Sequence, residues 1–137
     1  PVLREGVKEY LEEAKQYNLK IALASSSSKQ WVQSYLEQLN IIDYFEVINT
    51  KDDVKNIKPD PELYIKTLRD LDLTSKETVV FEDSLNGLSA AKQAGIRCII
   101  VPNAVTKNLK FEDFDERIES MSQISLSSLL KKIERIT

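Results

Sequence analysis

Apolar positions along this chain follow two rhythms in turn. Leu3, Val7, Tyr10, Leu11 and Ala14 recur at helical spacing, and Arg4, Glu5, Lys8, Glu9, Glu12, Glu13 and Lys15 fill the opposite face. This spacing predicts an amphipathic helix ending near Asn18. Residues 21–24 are a short unbroken apolar run, the pattern of a strand covered on both faces, and they stop at four serines, Ser25 to Ser28. A second helical face carries Trp31, Val32, Tyr35, Leu36 and Leu39, and its two aromatic residues are expected in the core. After a turn around Asp43, residues 45–48 read as a second strand and residues 50–56 as a polar loop.

Lys58-Pro59-Asp60-Pro61 is a firm break, because each proline biases the residue before it out of the helical region. Asp60 then caps a helix whose first position is Pro61 and whose apolar face holds Leu63, Tyr64, Leu68 and Leu71. The stretch around which the chain is organised follows. Thr78, Val79, Val80 and Phe81 run straight into two carboxylates, Glu82 and Asp83, and then into an Ala-rich helix closed by Gly95 as a left-handed cap. Residues 97–101 form a fourth strand, broken at Pro102-Asn103, and residues 104–123 show only scattered Leu109, Phe111 and Phe114. A last helix over residues 126–136 places Leu126, Leu129, Leu130, Ile133 and Ile136 on one face.

Strands alternating with helices at this spacing indicate an α/β fold, a Rossmann-like doubly wound domain with a mainly parallel sheet. At 137 residues and 42% apolar content, the whole chain is expected to form a single domain. A formal net charge of −3, with both signs interspersed, leaves no basic stripe, so nucleic acid is not an expected partner. No apolar run reaches the length of a membrane span, and a single cysteine, Cys98, sits within an apolar run. These features point to a soluble, cytoplasmic protein with a buried thiol. The chain has no histidine, which excludes Ser-His and Cys-His catalysis and imidazole metal sites.

Because right-handed connections send every strand the same way, three loops open onto one rim: residues 25–28, the loop before Lys58, and Glu82-Asp83. Hydroxyls and backbone N–H groups at a helix start, one ammonium and two carboxylates suit a phosphate-plus-Mg²⁺ site. The same residues have plainer uses. Asp83, Ser84 and Asn86 are all good helix caps, Ser25 can open the second helix, and Lys58 can stand in solvent.

The segments I-A-L-A-S-S-S at 21–27, I-K-P-D-P-E-L-Y at 57–64 and V-F-E-D-S-L-N-G-L-S-A-A-K-Q-A-G at 80–95 resemble the second, third and fourth motifs of the haloacid dehalogenase-like phosphohydrolases, and most resemble the β-phosphoglucomutase-like group. The resemblance implies that Ser25, with the backbone of Ser26, holds the transferring phosphoryl group. It implies that Lys58 neutralises charge on that group and on the nucleophile. Asp83 would ligate Mg²⁺, with Glu82 beside it or acting through a metal-bound water. The fit is chemical as well, since phosphoryl transfer is catalysed mostly by positioning and electrostatic stabilisation.

The family's first motif, D-x-D-x-T, supplies a nucleophilic aspartate and a general acid/base, and no such segment stands among these residues. Asp113 and Asp115 read D-x-D, but in a polar, helix-like stretch after the last strand. The chain opens on Pro1 and reads as the C-terminal portion of such an enzyme, after the cap domain. The resemblance therefore implies a missing strand between residues 21–24 and 78–82, and a partner in the N-terminal remainder of the same enzyme. The expected function is Mg²⁺-dependent hydrolysis of a small phosphorylated metabolite through an aspartyl-phosphate, with these residues alone inactive. One alternative is a sugar-phosphate mutase, which would grip a second phosphate near Ser27, Ser28 and Lys29. The other is a non-catalytic α/β binding module of the receiver type, against which the second strand ends in Ile48-Asn49-Thr50 rather than in an aspartate.

Overall fold

A computed structural model describes residues 1–134. Helix α1 spans Val7–Gln16, strand β1 Ala22–Ala24, α2 Lys29–Gln38 and β2 Val47–Asn49. Next come α3 at Glu62–Leu71, β3 at Val79–Glu82, α4 at Leu85–Gln93 and β4 at Arg97–Ile100. A two-residue strand, β5 at Glu116–Arg117, and helix α5 at Leu126–Glu134 complete the order. The helical position expected at Ile136 lies outside the described residues. Gly95 takes φ +76°, the left-handed conformation that ends α4 and turns the chain into β4.

Every ladder is parallel, as the alternation of elements requires. Ala22 lies opposite Val47 and Ala24 opposite Asn49 in one sheet. In the other, Val79 lies opposite Arg97, Glu82 opposite Ile100, and Ile99 opposite Glu116. The core obeys the two-residue period of a strand covered on both faces. Val80, Cys98 and Ile100 pack with Tyr64, Leu88, Ala90 and Ala91 on the α3–α4 side. Val79, Phe81, Ile99 and Val101 pack with Tyr10, Ala14, Leu126, Leu129 and Ile133 on the α1–α5 side. Cys98 is fully buried, and burial pushes its thiol up to about 12, in keeping with an inert core residue.

The two sheets are not joined. Among the described residues no ladder links β1 to β3. Cavities of about 400 and 200 Å³ are each lined by residues of both strands, Ala22 with Val79 and Val80 in one, Ile21 and Ala22 with Val79 and Phe81 in the other. This seam lies where the sequence resemblance calls for a further strand.

Several sequence expectations are corrected. Trp31 is not core: it is 57% exposed and stacks on Tyr35, ring centroids 5.0 Å apart and 11° from parallel. Five apolar residues make a stripe wider than the face that packs, and α2 buries Val32 and Leu36, one position round the helix. Residues 113–115 are not helix-like but lead into β5. Asp115 N donates to Cys98 O at 2.9 Å, and Asp115 Oδ2 accepts from Cys98 N at 2.7 Å and from Lys92 Nζ at 3.1 Å. β2 begins at Val47, two positions later than the apolar run at residues 45–48 predicts. Pro61 precedes α3 rather than opening it, although Asp60 does accept from Glu62 N at 2.9 Å. Arg4 precedes α1 and stays exposed, and its guanidinium donates to Val101 O and Pro102 O at 3.3 and 2.7 Å.

Candidate active site

Each ligand-bearing loop follows the carboxyl end of a strand, as open parallel sheets arrange their sites. After β1, Ser25 still donates its N–H to Asn49 O at 2.9 Å, while its Oγ accepts from Ser27 N at 3.1 Å. That short turn ends when Ser28 Oγ accepts from Trp31 N at 3.2 Å and caps α2. Lys29 N donates to Asp52 Oδ2 at 2.8 Å. Between them, Ser26 Oγ is buried without a hydrogen-bond partner. A buried hydroxyl left unpaired costs on the order of 1–3 kcal/mol, so such an atom marks a place where a polar group is wanted.

Lys58 crosses the seam. Its Nζ donates to Ala24 O at 2.8 Å, at the end of β1, and to Glu82 Oε2 at 2.6 Å, at the end of β3. The side chains are only 12% and 7% exposed, so this is a largely desolvated ion pair. Glu82 takes a second contact, a hydrogen bond from the Tyr64 hydroxyl. Burial and the neighbouring Glu82 charge push the Tyr64 phenol far above its ordinary range, so it stays a donor at any working pH. Gly87 completes the enclosure: a Cβ there would come within 1.9 Å of Glu82 Oε1, so the carboxylate lies against bare helix backbone. Glu82 is thus committed to Lys58 and Tyr64.

Asp83, the next residue, is differently placed. It does not cap α4, because Ser84 does, accepting from Gly87 N at 3.0 Å. Asp83 Oδ2 accepts from Asn103 Nδ2 at 3.0 Å, and among the described residues no side-chain or backbone donor bonds Oδ1. A single hard carboxylate oxygen suits Mg²⁺, which keeps several waters and takes one or two protein carboxylates. Among the described residues no cluster of three or more candidate metal ligands occurs, so Asp83 fits as one arm of such a site rather than as the whole of it.

The cleft so formed is about 480 Å³, and Ser25, Ser26, Lys58, Glu82 and Asp83 all line it, with Trp31 on its wall. All five residues singled out from sequence therefore meet in one space. Asp113 does not line it, and Ser27, Ser28 and Lys29 serve the turn into α2. Sequence reasoning missed Tyr64, Gly87 and Asn103. Only Gly87 left a usable sign, since glycine within a helix costs about 1 kcal/mol and calls for a reason.

The rim of this parallel α/β fold thus joins serine hydroxyls, a half-buried lysine and two adjacent carboxylates. The sequence profile of the haloacid dehalogenase-like hydrolases matches residues 2–101, and the chain belongs to that family. It is 52% identical over 127 residues to YhcW of Bacillus subtilis, whose name gives it provisionally as a phosphatase, covering 93% of this chain and 58% of that protein. It is 45% identical over 94 residues to the phosphorylated carbohydrates phosphatase of Thermotoga maritima, covering 69% and 44%. Among solved structures, CbbY from Rhodobacter sphaeroides in complex with phosphate superposes with a TM-score of 0.88 at 35% identity, over 93% of this chain and 58% of that one. The chain thus spans about half the length of these relatives, from 44% to 58%. No helix among the described residues is long and apolar enough to cross a membrane.

Proposed function

We propose that this domain is the catalytic core portion of a Mg²⁺-dependent phosphohydrolase that cleaves a small phosphate monoester through an aspartyl-phosphate. The nucleophile would come from an N-terminal segment bearing D-x-D-x-T, whose strand would occupy the seam between β1 and β3. The observation that carries the reading is Lys58 Nζ held between Ala24 O and Glu82 Oε2 on the cleft that Ser25, Ser26 and Asp83 also line. A cation fixed across the seam supports charge developing on a phosphoryl group there, with no reorganisation at the moment of reaction. Ser25 and the Ser26 backbone would hold the phosphoryl oxygens, and the unpaired Ser26 Oγ marks the polar demand of that corner. Asp83 would hold Mg²⁺, which when bound supplies charge neutralisation to the phosphate. Glu82 fixes Lys58 rather than standing free for metal. The Thermotoga maritima relative named for phosphorylated carbohydrates supports a phosphorylated small metabolite as substrate.

The test is p-nitrophenyl phosphate hydrolysis with Mg²⁺. The 137 residues alone are expected to show no turnover above buffer. Joined to the part of YhcW that the match does not cover, they are expected to gain turnover that Lys58→Met and Asp83→Asn abolish. Enzymatic turnover by the 137 residues alone, lost on Asp83→Asn, would put the nucleophile inside them and overturn the reading.

A further inference from the structure

We infer that Asn103 is a positioning residue for the metal-facing carboxylate: it holds Asp83 through one oxygen and leaves the other presented to the cation. This inference rests on the assignment of Asp83 as a metal ligand. Asn103 follows β4 at a break after Pro102 and is part-buried. Its side-chain orientation is fixed by its neighbours. Oδ1 accepts from Val105 N and from Thr106 N, each at 2.8 Å, and from Thr106 Oγ1 at 3.2 Å. With three donors on that side, the amide has one assignment, and Nδ2 is the atom that faces Asp83. The backbone is tied just as firmly. Asn103 N donates to Thr106 Oγ1 at 3.0 Å, and Asn103 O accepts from Lys107 N at 2.9 Å.

The base of this turn is anchored from far away in sequence, by the Arg4 guanidinium on Val101 O and Pro102 O. A turn closed at both ends thus delivers one N–H to Asp83 Oδ2 at 3.0 Å. A carboxylate on a flexible side chain would otherwise rotate freely about its last bond, and octahedral Mg²⁺ tolerates little of that. Hydrogen bonds from such outer partners orient metal-ligating carboxylates, and losing one typically costs about 10–100-fold in metal affinity or activity. Nothing else in the structure requires asparagine here, because any short acceptor closes the turn.

That distinction supplies the test. Asn103→Ser keeps an oxygen able to accept from Val105 N and Thr106 N but is too short to reach Asp83. Mn²⁺ is titrated into the active fusion with the uncovered part of YhcW described above and into its Asn103→Ser and Asp83→Asn variants, with the free ion read by electron paramagnetic resonance, and metal-free melting is recorded alongside. Asn103→Ser is expected to weaken binding about tenfold or more while melting as wild type does. Asn103→Ala is expected to weaken binding equally and also to lower the melting temperature. If Asp83→Asn abolishes binding but Asn103→Ser matches wild type, the positioning role is overturned and the metal assignment stands. If Asp83→Asn binds as wild type does, both fall together.

Discussion

The two halves of the sheet make the same kind of parallel ladder yet differ in closure. In the half built on β4, neighbours on both edges and helices on both faces leave Cys98, Ile99 and Ile100 with no exposed surface. In the half built on β1, a strand of three residues has one partner, and all three stay partly exposed. Both strands have suitable side chains, so the difference comes from pairing: β1 and β3 each turn an unpaired edge to the seam. The chemistry gathers where the closed half meets the open one, and Lys58 is the polar tie between them.

If the tie holds the halves in register, breaking it should give the largest effect in the molecule. Lys58→Met leaves the Glu82 carboxylate desolvated without its cation, and is expected to lower unfolding stability by about 3–5 kcal/mol. The double variant Lys58→Met/Glu82→Gln should recover much of that, since a neutral amide can take the Tyr64 hydroxyl. Denaturant titration of the two variants measures it. A single-variant loss under about 1 kcal/mol would mean the pair acts as an exposed salt bridge and that the seam does not depend on it.

Gly87→Ala probes the closed side of the same ion pair. In an ordinary helix interior the change would stabilise by up to about 1 kcal/mol. Here the new methyl meets Glu82 Oε1, and that carboxylate cannot swing away without releasing Lys58 and Tyr64. A loss of about 1–3 kcal/mol is expected instead, measured by thermal or denaturant melting. A gain in stability would show that Glu82 has room to move.

What the sequence disclosed divides along the same line. Periodicity located the helices and the four main strands because each buries a contiguous face, and the strand-end serines, Lys58 and the Glu82-Asp83 pair were legible as the polar ends of apolar runs. β5 was not legible, since two residues carry no period. Trp31 was misplaced because periodicity finds a stripe but not its edge. Tyr64 read as one more apolar helical position, and nothing in sequence shows a phenol reaching a carboxylate eighteen residues on. The Arg4 anchor and the Asn103 contact join segments that only the finished fold brings together.

The smallest effect expected lies on the α1–α5 face, away from the seam. There Glu13 of α1 caps a different helix: Oε2 accepts from Leu126 N and Oε1 from Ser127 N, both at 2.9 Å, at the start of α5. A carboxylate on unpaired N–H groups at a helix N-terminus gains from both the hydrogen bonds and the dipole. The backbone N–H groups of Ser127 and Leu126 hold the Glu13 carboxyl below its ordinary value, against some desolvation that acts the other way. The sign follows from linkage. The folded-state pKa is depressed, so the stabilisation is fully present above the unfolded-state value near about 4.3 and is lost as pH falls through the lower folded-state value. Glu13 is half-buried at the protein surface, where solvent screening keeps the effect small, and Glu13→Gln is expected to cost about 0.5–1 kcal/mol at neutral pH. The gap between wild type and variant should narrow as the solution is acidified below that range, when both carry a neutral side chain. Melting curves at pH 7 and in acid measure this. A gap that stays constant with pH would mean that hydrogen bonding alone, without charge, holds α5 to α1.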